Sequence, residues 1–182
     1  MSEGFTGVLH TIVFHRSFQA VKPVTYDVLD VTLPAVNDES LETLIDHRAT
    51  ALVRQMDPTG QQPQYNSPPS NGGNGRGQLS LQFFEKRRKK TYFAFGKADE
   101  EVCWEQWNLD VTLAKPKTDS DIAKVREAME TSLHKAALKV MSVASEERDH
   151  IPPITTTESN PFPFQITIVS KEQGWGKGMG LF

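Results

Sequence analysis

Two segments of the chain alternate between apolar and polar residues, and this pattern constrains the fold more than any other feature. The first spans residues 78–85 and the second spans residues 104–114. A period of two with one polar side predicts antiparallel strands that are covered on one face only. The apolar positions that predict the covered face are Leu79, Leu81, Phe83, Trp107, Leu109, Val111 and Leu113.

Helical spacing of apolar residues, every three or four positions, recurs in residues 5–16, 39–56 and 119–148. Asn37 or Asp38 can cap the second helix, and Thr118 with Asp121 resembles a capping box that starts the third. The third helix is predicted to carry much of the core. Its apolar stripe consists of Ile122, Val125, Met129, Leu133, Ala136, Val140 and Val143.

The remaining segments complete an α+β prediction. Residues 25–36 and 162–169 read as strands, whereas residues 57–76 are rich in Pro, Gly, Gln, Asn and Ser and predict a disordered insertion loop. Residues 171–182 predict a flexible, glycine-broken tail. The chain is therefore expected to form one domain, 1–182, with a mainly antiparallel sheet packed against three helices.

Composition narrows the class of protein. The 182 residues carry a formal net charge of −3, which is not the signature of a nucleic-acid-binding chain. The single cysteine, Cys103, leaves no disulfide within the chain and no cysteine-based zinc cluster. No apolar run approaches the roughly 18 residues that span a bilayer, and the first residues lack a signal-peptide pattern. These features predict a soluble intracellular protein.

No catalytic, cofactor-binding or metal-binding residues are predicted. His10 and His15 are five positions apart, which places them about 140° apart around a helix rather than on one face. The sequence contains no zinc-protease, phosphate-loop or serine-hydrolase motif. Acidic residues lie next to Cys103, and nearby negative charge disfavours a reactive thiolate.

The connector between the two alternating segments carries the candidate binding residues. It begins with five basic residues: Lys86, Arg87, Arg88, Lys89 and Lys90. They could contact acidic lipid or nucleic acid, act as a localisation signal, or form the solvated end of a strand. The aromatic residues Tyr92, Phe93 and Phe95 follow. They either fold back onto the rest of the domain or bind a partner, because large apolar side chains are costly to leave in water.

Trp104 and Trp107 are three positions apart on the second predicted strand. Trp107 belongs to the core side of that strand. Trp104 is therefore predicted on the opposite face or at a sheet edge against a neighbouring element.

Several stretches resemble the autophagy-related protein 101 family. The matching segments are VLHTIVFHRSF at 8–18, GQLSLQFFEKRRKK at 77–90, WEQWNLDV at 104–111 and, more weakly, FPFQITI at 162–168. The predicted order of helices and strands agrees with that family as well. The resemblance implies a HORMA domain without enzymatic activity and without a cofactor.

The same resemblance implies the partners and the place of action. It implies a heterodimer with the HORMA domain of autophagy-related protein 13 and membership of the autophagy-initiation kinase complex. It further implies recruitment of downstream factors at the phagophore assembly site in the cytoplasm. Animal members recruit through a Trp-Pro-Phe finger, and in this chain Phe93 and Phe95 stand where its Trp and Phe would be, after Tyr92. The chain has neither that Trp nor that Pro.

One alternative function follows from the residues themselves. Lys86 to Lys90 and the aromatic residues at 92–95 could make the chain a membrane-surface or nucleic-acid adaptor. The membrane surface is the more compatible target, since the net charge of −3 gives no expectation of nucleic-acid binding.

Overall fold

The computed structural model describes residues 3–57, 75–88 and 99–169. Within these ranges the chain is mixed α+β, with three helices and antiparallel sheets, as in a HORMA-like fold. The elements in chain order are α1 (Glu3–His15), β1 (Pro23–Val28), β2 (Val31–Val36), α2 (Glu39–Met56), β3 (Arg76–Arg88), β4 (Asp99–Thr112), α3 (Asp119–Glu146) and β5 (Phe164–Val169).

The predicted antiparallel sheet is confirmed. The described strands form a three-stranded sheet in the order β4-β3-β5, and β1 pairs separately with β2. Leu79 lies opposite Leu109 and Leu81 lies opposite Trp107, so the alternating apolar residues of β3 and β4 share one face. Leu79, Leu81 and Phe83 are almost completely buried there, because β3 is the central strand.

Helix α1 occupies the centre of the core. Every residue from Thr6 to Val13 is buried, because α1 contacts the β1–β2 hairpin, α2 and α3 on its different sides. Gly7 permits the close approach to the hairpin. A Cβ atom built on Gly7 would lie 2.7 Å from Leu33 Cδ1 and 3.3 Å from Val28 Cγ2.

Helix α2 covers the sheet. Its buried stripe is Leu41, Ile45, Ala49, Leu52 and Met56. Asp38 caps it as predicted, since its carboxylate accepts hydrogen bonds from Ser40 N at 2.9 Å and Leu41 N at 3.2 Å. The Ser40 hydroxyl also donates to this carboxylate, and this bond, together with those from the Leu41 and Ser40 amides, favours the ionised form and lowers the pKa of Asp38.

Helix α3 contributes less to the core than its sequence predicts. The Thr118–Asp121 capping box is confirmed, but the buried residues of α3 all lie in its carboxyl-terminal half: Leu133, Ala137, Val140 and Ala144. Ile122, the first residue of the predicted stripe, is 53% exposed. The reason is length: α3 has 28 residues and α1, its main packing partner, has 13.

The prediction of a single strand over residues 25–36 is wrong. The segment is a hairpin in which Val28 pairs with Val31, so that Leu29 and Asp30 form a two-residue turn. Leu29 has φ of 55°, a left-handed conformation that a leucine seldom adopts. Val28 and Leu33 are the buried residues of this hairpin, and Leu29 and Val31 are partly buried.

The connector between β3 and β4 is shorter than predicted. Its first basic residues, Lys86 to Arg88, belong to β3, and the acidic residues Asp99 to Glu101 belong to β4. Strand pairing continues to Arg88 and Asp99. Most of the predicted insertion loop 57–76 and the whole predicted tail 171–182 lie outside the described residues, although Arg76 already begins β3.

We predict that Gly7→Leu destabilises the protein by about 1–3 kcal/mol, because the added side chain must displace Leu33 and Val28 from a packed core. Gly4→Leu is the matched control on the same helix, since a Cβ at Gly4 meets no atom within 4 Å. Urea denaturation followed by circular dichroism measures both. Equal stability of the two variants would contradict the close packing of α1 on the hairpin.

Candidate functional site

A two-stranded ribbon extends from the three-stranded sheet. Strand β5 pairs with β3 only from Gln78 to Phe83, and a single further bond, from Phe84 N to Pro163 O at 2.8 Å, follows. Beyond that point residues 84–88 pair only with residues 99–103. The last described pair of the ribbon is Arg88–Asp99, and residues 89–98, which lie outside the described residues, join these two positions in the chain.

A β-bulge marks the base of the ribbon. Phe83 lies opposite Glu105 but Phe84 lies opposite Cys103, which leaves Trp104 as the extra residue of β4. A bulge bends its strand and increases the local twist. The bulge therefore changes the direction of the ribbon relative to the rest of the sheet.

Aromatic rings surround the bulge. The ring centroid of Trp104 lies 5.0 Å from that of Phe162, 5.8 Å from that of Phe83 and 6.5 Å from that of Phe18. His150 lies 5.7 Å away in the same cluster. Of the two predicted placements for Trp104, the sheet edge is the correct one. The opposite face is wrong, because the bulge returns Trp104 to the side of Phe83.

A buried ion pair lies next to this cluster. The guanidinium of Arg16 donates from Nε to Glu105 Oε2 at 2.6 Å and from Nη2 to Glu105 Oε1 at 3.0 Å. Nη1 and Nη2 also donate to the carbonyl oxygens of Ala144 at 3.1 Å and Glu147 at 3.3 Å. The side chains of Arg16 and Glu105 are only 2% and 9% exposed.

The sequence contained a signal for both partners, although we did not predict them as site residues. Arg16 follows Ile12 by four positions and Val13 by three, so it continues the buried stripe of α1. Glu105 precedes Trp107 by two and shares its side of β4. A charged residue at a core-facing position requires a partner of opposite charge, and two such residues of opposite sign could have been paired.

Two residues of the basic run have described contacts. Lys86 Nζ lies 2.9 Å from Glu158 Oε2, and Arg87 Nε lies 2.7 Å from Glu85 Oε2. The strand register also places Lys86 opposite Glu101 and Arg87 opposite Glu100. Arg88 ends β3, while Lys89 and Lys90 lie outside the described residues. The basic charges of the ribbon are thus interleaved with acidic ones.

The aromatic residues Tyr92, Phe93 and Phe95 lie outside the described residues as well. The structure shows the two ends to which their segment is joined, Arg88 and Asp99. Among the described residues, Lys86, Arg87, Glu100 and Glu101 near that end are exposed. A role for the aromatic residues stays a prediction.

A cleft of about 320 Å³ borders the ring cluster, since Phe83 and Phe162 line it together with Arg16. The carboxyl end of α1, the start of α2 and the start of β5 line it, with Leu41, Leu44, Phe162 and Phe164 as its apolar wall. Asp38 and Ser40 form part of its rim but already bond to each other in the helix cap. The described residues contain no group of three or more His, Cys, Asp and Glu side chains arranged to hold a metal ion.

His10 is buried in the core. It is 3% exposed and stacks on Tyr26 with ring centroids 5.0 Å apart. Neither ring nitrogen has a hydrogen-bond partner among the described residues. Burial lowers the pKa of His10, and Glu42 and Asp46 offset part of this effect. Burial likewise lowers the pKa of His15, with a contribution from Arg16.

Comparison with known proteins identifies the family. The family model of autophagy-related protein 101 matches residues 1–158. The chain belongs to the autophagy-related protein 101 family. The proteins of that name from Schizosaccharomyces pombe and Arabidopsis thaliana are 25% and 24% identical to it, each over 96% of this chain and 83% of the relative. The Homo sapiens protein is 26% identical over 86% of this chain and 71% of its own length.

Membership of the autophagy-related protein 101 family gives the chain a role in autophagy. Two of the segments that carry the resemblance, residues 8–18 and 104–111, are joined in space by the Arg16–Glu105 pair. None of the helices in the described part of the chain has the length and hydrophobicity to cross a bilayer.

We predict that the stability of the protein decreases as the pH falls below about 6.5, the usual pKa of histidine. His10 has a lowered pKa in the folded state, so the unfolded chain binds more protons in this range and unfolding becomes more favourable. His10→Phe keeps an aromatic ring against Tyr26 and should make the free energy of unfolding less dependent on pH, with His15 contributing the remaining dependence. Urea titrations between pH 5 and 8 measure the free energy of unfolding at each pH. An unchanged pH dependence in His10→Phe would refute the assignment to His10.

Proposed function

We propose that this chain is a non-enzymatic scaffold of the autophagy-initiation kinase complex. In this proposal residues 1–182 form a single HORMA domain that binds and stabilises the HORMA domain of autophagy-related protein 13. It acts in the cytoplasm at the phagophore assembly site and recruits downstream autophagy factors through Tyr92, Phe93 and Phe95. The observation that carries the proposal is the ribbon of β3 and β4, whose end holds both attachment points of the segment with these aromatic residues.

The composition of the ribbon supports a role in presenting the aromatic residues to a partner protein. Ladder hydrogen bonds hold residues 84–88 against residues 99–103, and the register places Lys86 opposite Glu101 and Arg87 opposite Glu100. Lys86, Arg87, Glu100 and Glu101 are exposed. A charged ribbon of this kind resists edge-to-edge pairing with other sheets. It can therefore extend from the domain while it carries an apolar segment.

The outer face of α3 supports the heterodimer. Leu138 and Met141 are 51% and 38% exposed there. Residues three apart on a helix lie side by side, so these two form one apolar contact area. Their exposed neighbours His134, Lys135 and Ser145 are polar or charged. An apolar centre with a polar rim is the usual composition of a protein interface.

We predict that Leu138→Glu with Met141→Glu weakens the heterodimer by about tenfold or more, because two carboxylates would be desolvated in the interface. Glutamate is a good helix former, so α3 should persist. Co-purification with the HORMA domain of autophagy-related protein 13, light scattering and calorimetry provide the measurement. Ile122→Glu is the control, an exposed apolar position on another face of the same helix.

Two outcomes would count against this interface. Unchanged affinity in the double variant would remove Leu138 and Met141 from the interface. If the wild-type chain stays monomeric and does not bind the partner at micromolar concentration, the heterodimer itself is contradicted.

We further predict that Phe93→Ala with Phe95→Ala abolishes recruitment of downstream factors and leaves the heterodimer intact. The physical reason is the loss of two large apolar side chains, each worth roughly 1.5–3 kcal/mol when buried by a partner. The measurement is the capture of downstream factors by the purified heterodimer. Thr91→Ala with Lys97→Ala, in the same segment, is the control. Full recruitment by the aromatic variant would show that these rings are not the finger.

The alternative function is that of an adaptor for anionic membrane surfaces. The same purified wild-type and variant proteins can test it. It requires vesicle binding that weakens steeply with salt and depends on Lys86 to Lys90. The described contacts favour it less, because Lys86 meets Glu158 and Arg87 meets Glu85. The strand register adds acidic residues opposite both.

A further inference from the structure

We infer that Arg16 and Glu105 are positioning residues, which fix the direction in which the β3–β4 ribbon leaves the domain. The significance of this for recruitment depends on the proposed function, because the ribbon carries the segment proposed to bind downstream factors. Arg16, Glu105 and the paired residues of the ribbon all lie in the described part of the chain. The direction of the ribbon can therefore be measured without any partner.

Glu105 lies at the point in β4 where a change of backbone position alters the direction of the ribbon. It is the last β4 residue that pairs in register with β3 before the bulge, opposite Phe83. Trp104 and the ribbon strand 99–103 follow directly on the other side of the bulge. A displacement of the Glu105 backbone therefore rotates everything beyond it, since a bulge sets the bend and twist of its strand.

Arg16 determines where Glu105 lies. Its planar guanidinium binds the carboxylate through two parallel N–H···O bonds, a geometry that fixes orientation as well as distance. The same guanidinium is held by the carbonyl oxygens of Ala144 and Glu147 at the end of α3. Glu105 is thus fixed relative to the carboxyl ends of two helices, α1 and α3.

One backbone hydrogen bond, from Phe84 N to Pro163 O, also holds the β3 side of the ribbon base. The other side-chain restraints there are less directional than the ion pair. The contacts of Trp104 with Phe18, Phe83 and Phe162 bury apolar surface, and such contacts depend little on orientation. The Lys86–Glu158 pair is exposed, with side chains 39% and 55% accessible, and exposed pairs contribute little. His150 Nε2 lies 3.7 Å from Glu105 Oε1, beyond hydrogen-bond distance.

The test measures the ribbon direction in the full chain. Cys103→Ser removes the native thiol, and Glu100→Cys on the ribbon and Ser132→Cys on α3 introduce two exposed sites for spin labels. Pulsed electron paramagnetic resonance then gives the distance distribution between the two labels. Glu105→Gln keeps the size of the side chain but removes its charge, and Arg16→Lys keeps the charge but removes the planar fork.

We expect one narrow distribution in the parent and a distribution at least about twofold broader in Glu105→Gln and Arg16→Lys, since local order is lost where restraints are few. Glu130→Gln is the control, because it disrupts the exposed Arg126–Glu130 pair of α3 without contact to the ribbon. Amide exchange should stay slow at Leu79 and Leu81 in the centre of the sheet. A loss of protection confined to the ribbon supports positioning.

Two results would overturn the inference. One is an unchanged distance distribution in both variants. The other is global unfolding of both variants, because the pair would then hold the whole domain rather than the ribbon.

Recruitment provides a separate measurement. With the heterodimer intact, Glu105→Gln should reduce capture of downstream factors by about tenfold. If Phe93→Ala with Phe95→Ala leaves capture intact, the proposed function fails, yet the spin-label distances still decide whether Arg16 and Glu105 position the ribbon.

Discussion

The Arg16–Glu105 ion pair joins the helical part of the molecule to the edge of its sheet, and the geometry of the ribbon depends on it. Burial of two charges costs several kcal/mol per ion unless the geometry and the remaining hydrogen bonds compensate. Here the pair is bidentate and Arg16 also donates to two carbonyl oxygens near the end of α3. Those carbonyls belong to the last turn of a helix, where backbone acceptors lack partners and a positive charge is favourable.

The pair joins α1 to a strand that pairs on one side only among the described strands. Strand β4 is the edge of the three-stranded sheet among the described strands, and its apolar residues Trp107, Leu109 and Val111 are only partly buried. By contrast, β3 is buried along its centre and pairs on both sides. Because the apolar residues of the edge strand β4 are only partly buried, another interaction must fix the orientation of the strand. A directional ion pair does so better than additional apolar surface would, because apolar contacts do not specify orientation.

The sequence predicted the elements of this fold better than their mutual packing. The β3–β4 pairing, three helices and the Asp38 and Thr118 caps followed from local patterns that the structure confirms. The β1–β2 hairpin did not, because Leu29 occupies a turn position that normally calls for Gly, Asn or Asp. The amino-terminal half of α3 was overestimated as core. Periodicity shows which residues share a face of a helix, but not how far the packing partner extends.

Part of the candidate site could likewise be predicted from local sequence patterns, and part of it depends on tertiary packing. Arg16 and Glu105 each stand at a core-facing position of their own element, so sequence reasoning could have paired them from charge and periodicity alone. The bulge at Trp104 could not be found in that way. A strict period of two sends Trp104 and Trp107 to opposite faces, whereas one extra residue brings Trp104 onto the side of Phe83 and leaves Glu105 facing Arg16. The position of a bulge depends on which contacts the two strands can make with the rest of the molecule. In this chain the extra residue lies between Cys103 and Glu105, where Trp104 joins the ring cluster and Glu105 meets Arg16. Both contacts involve residues distant in sequence, so they exist only in the folded structure.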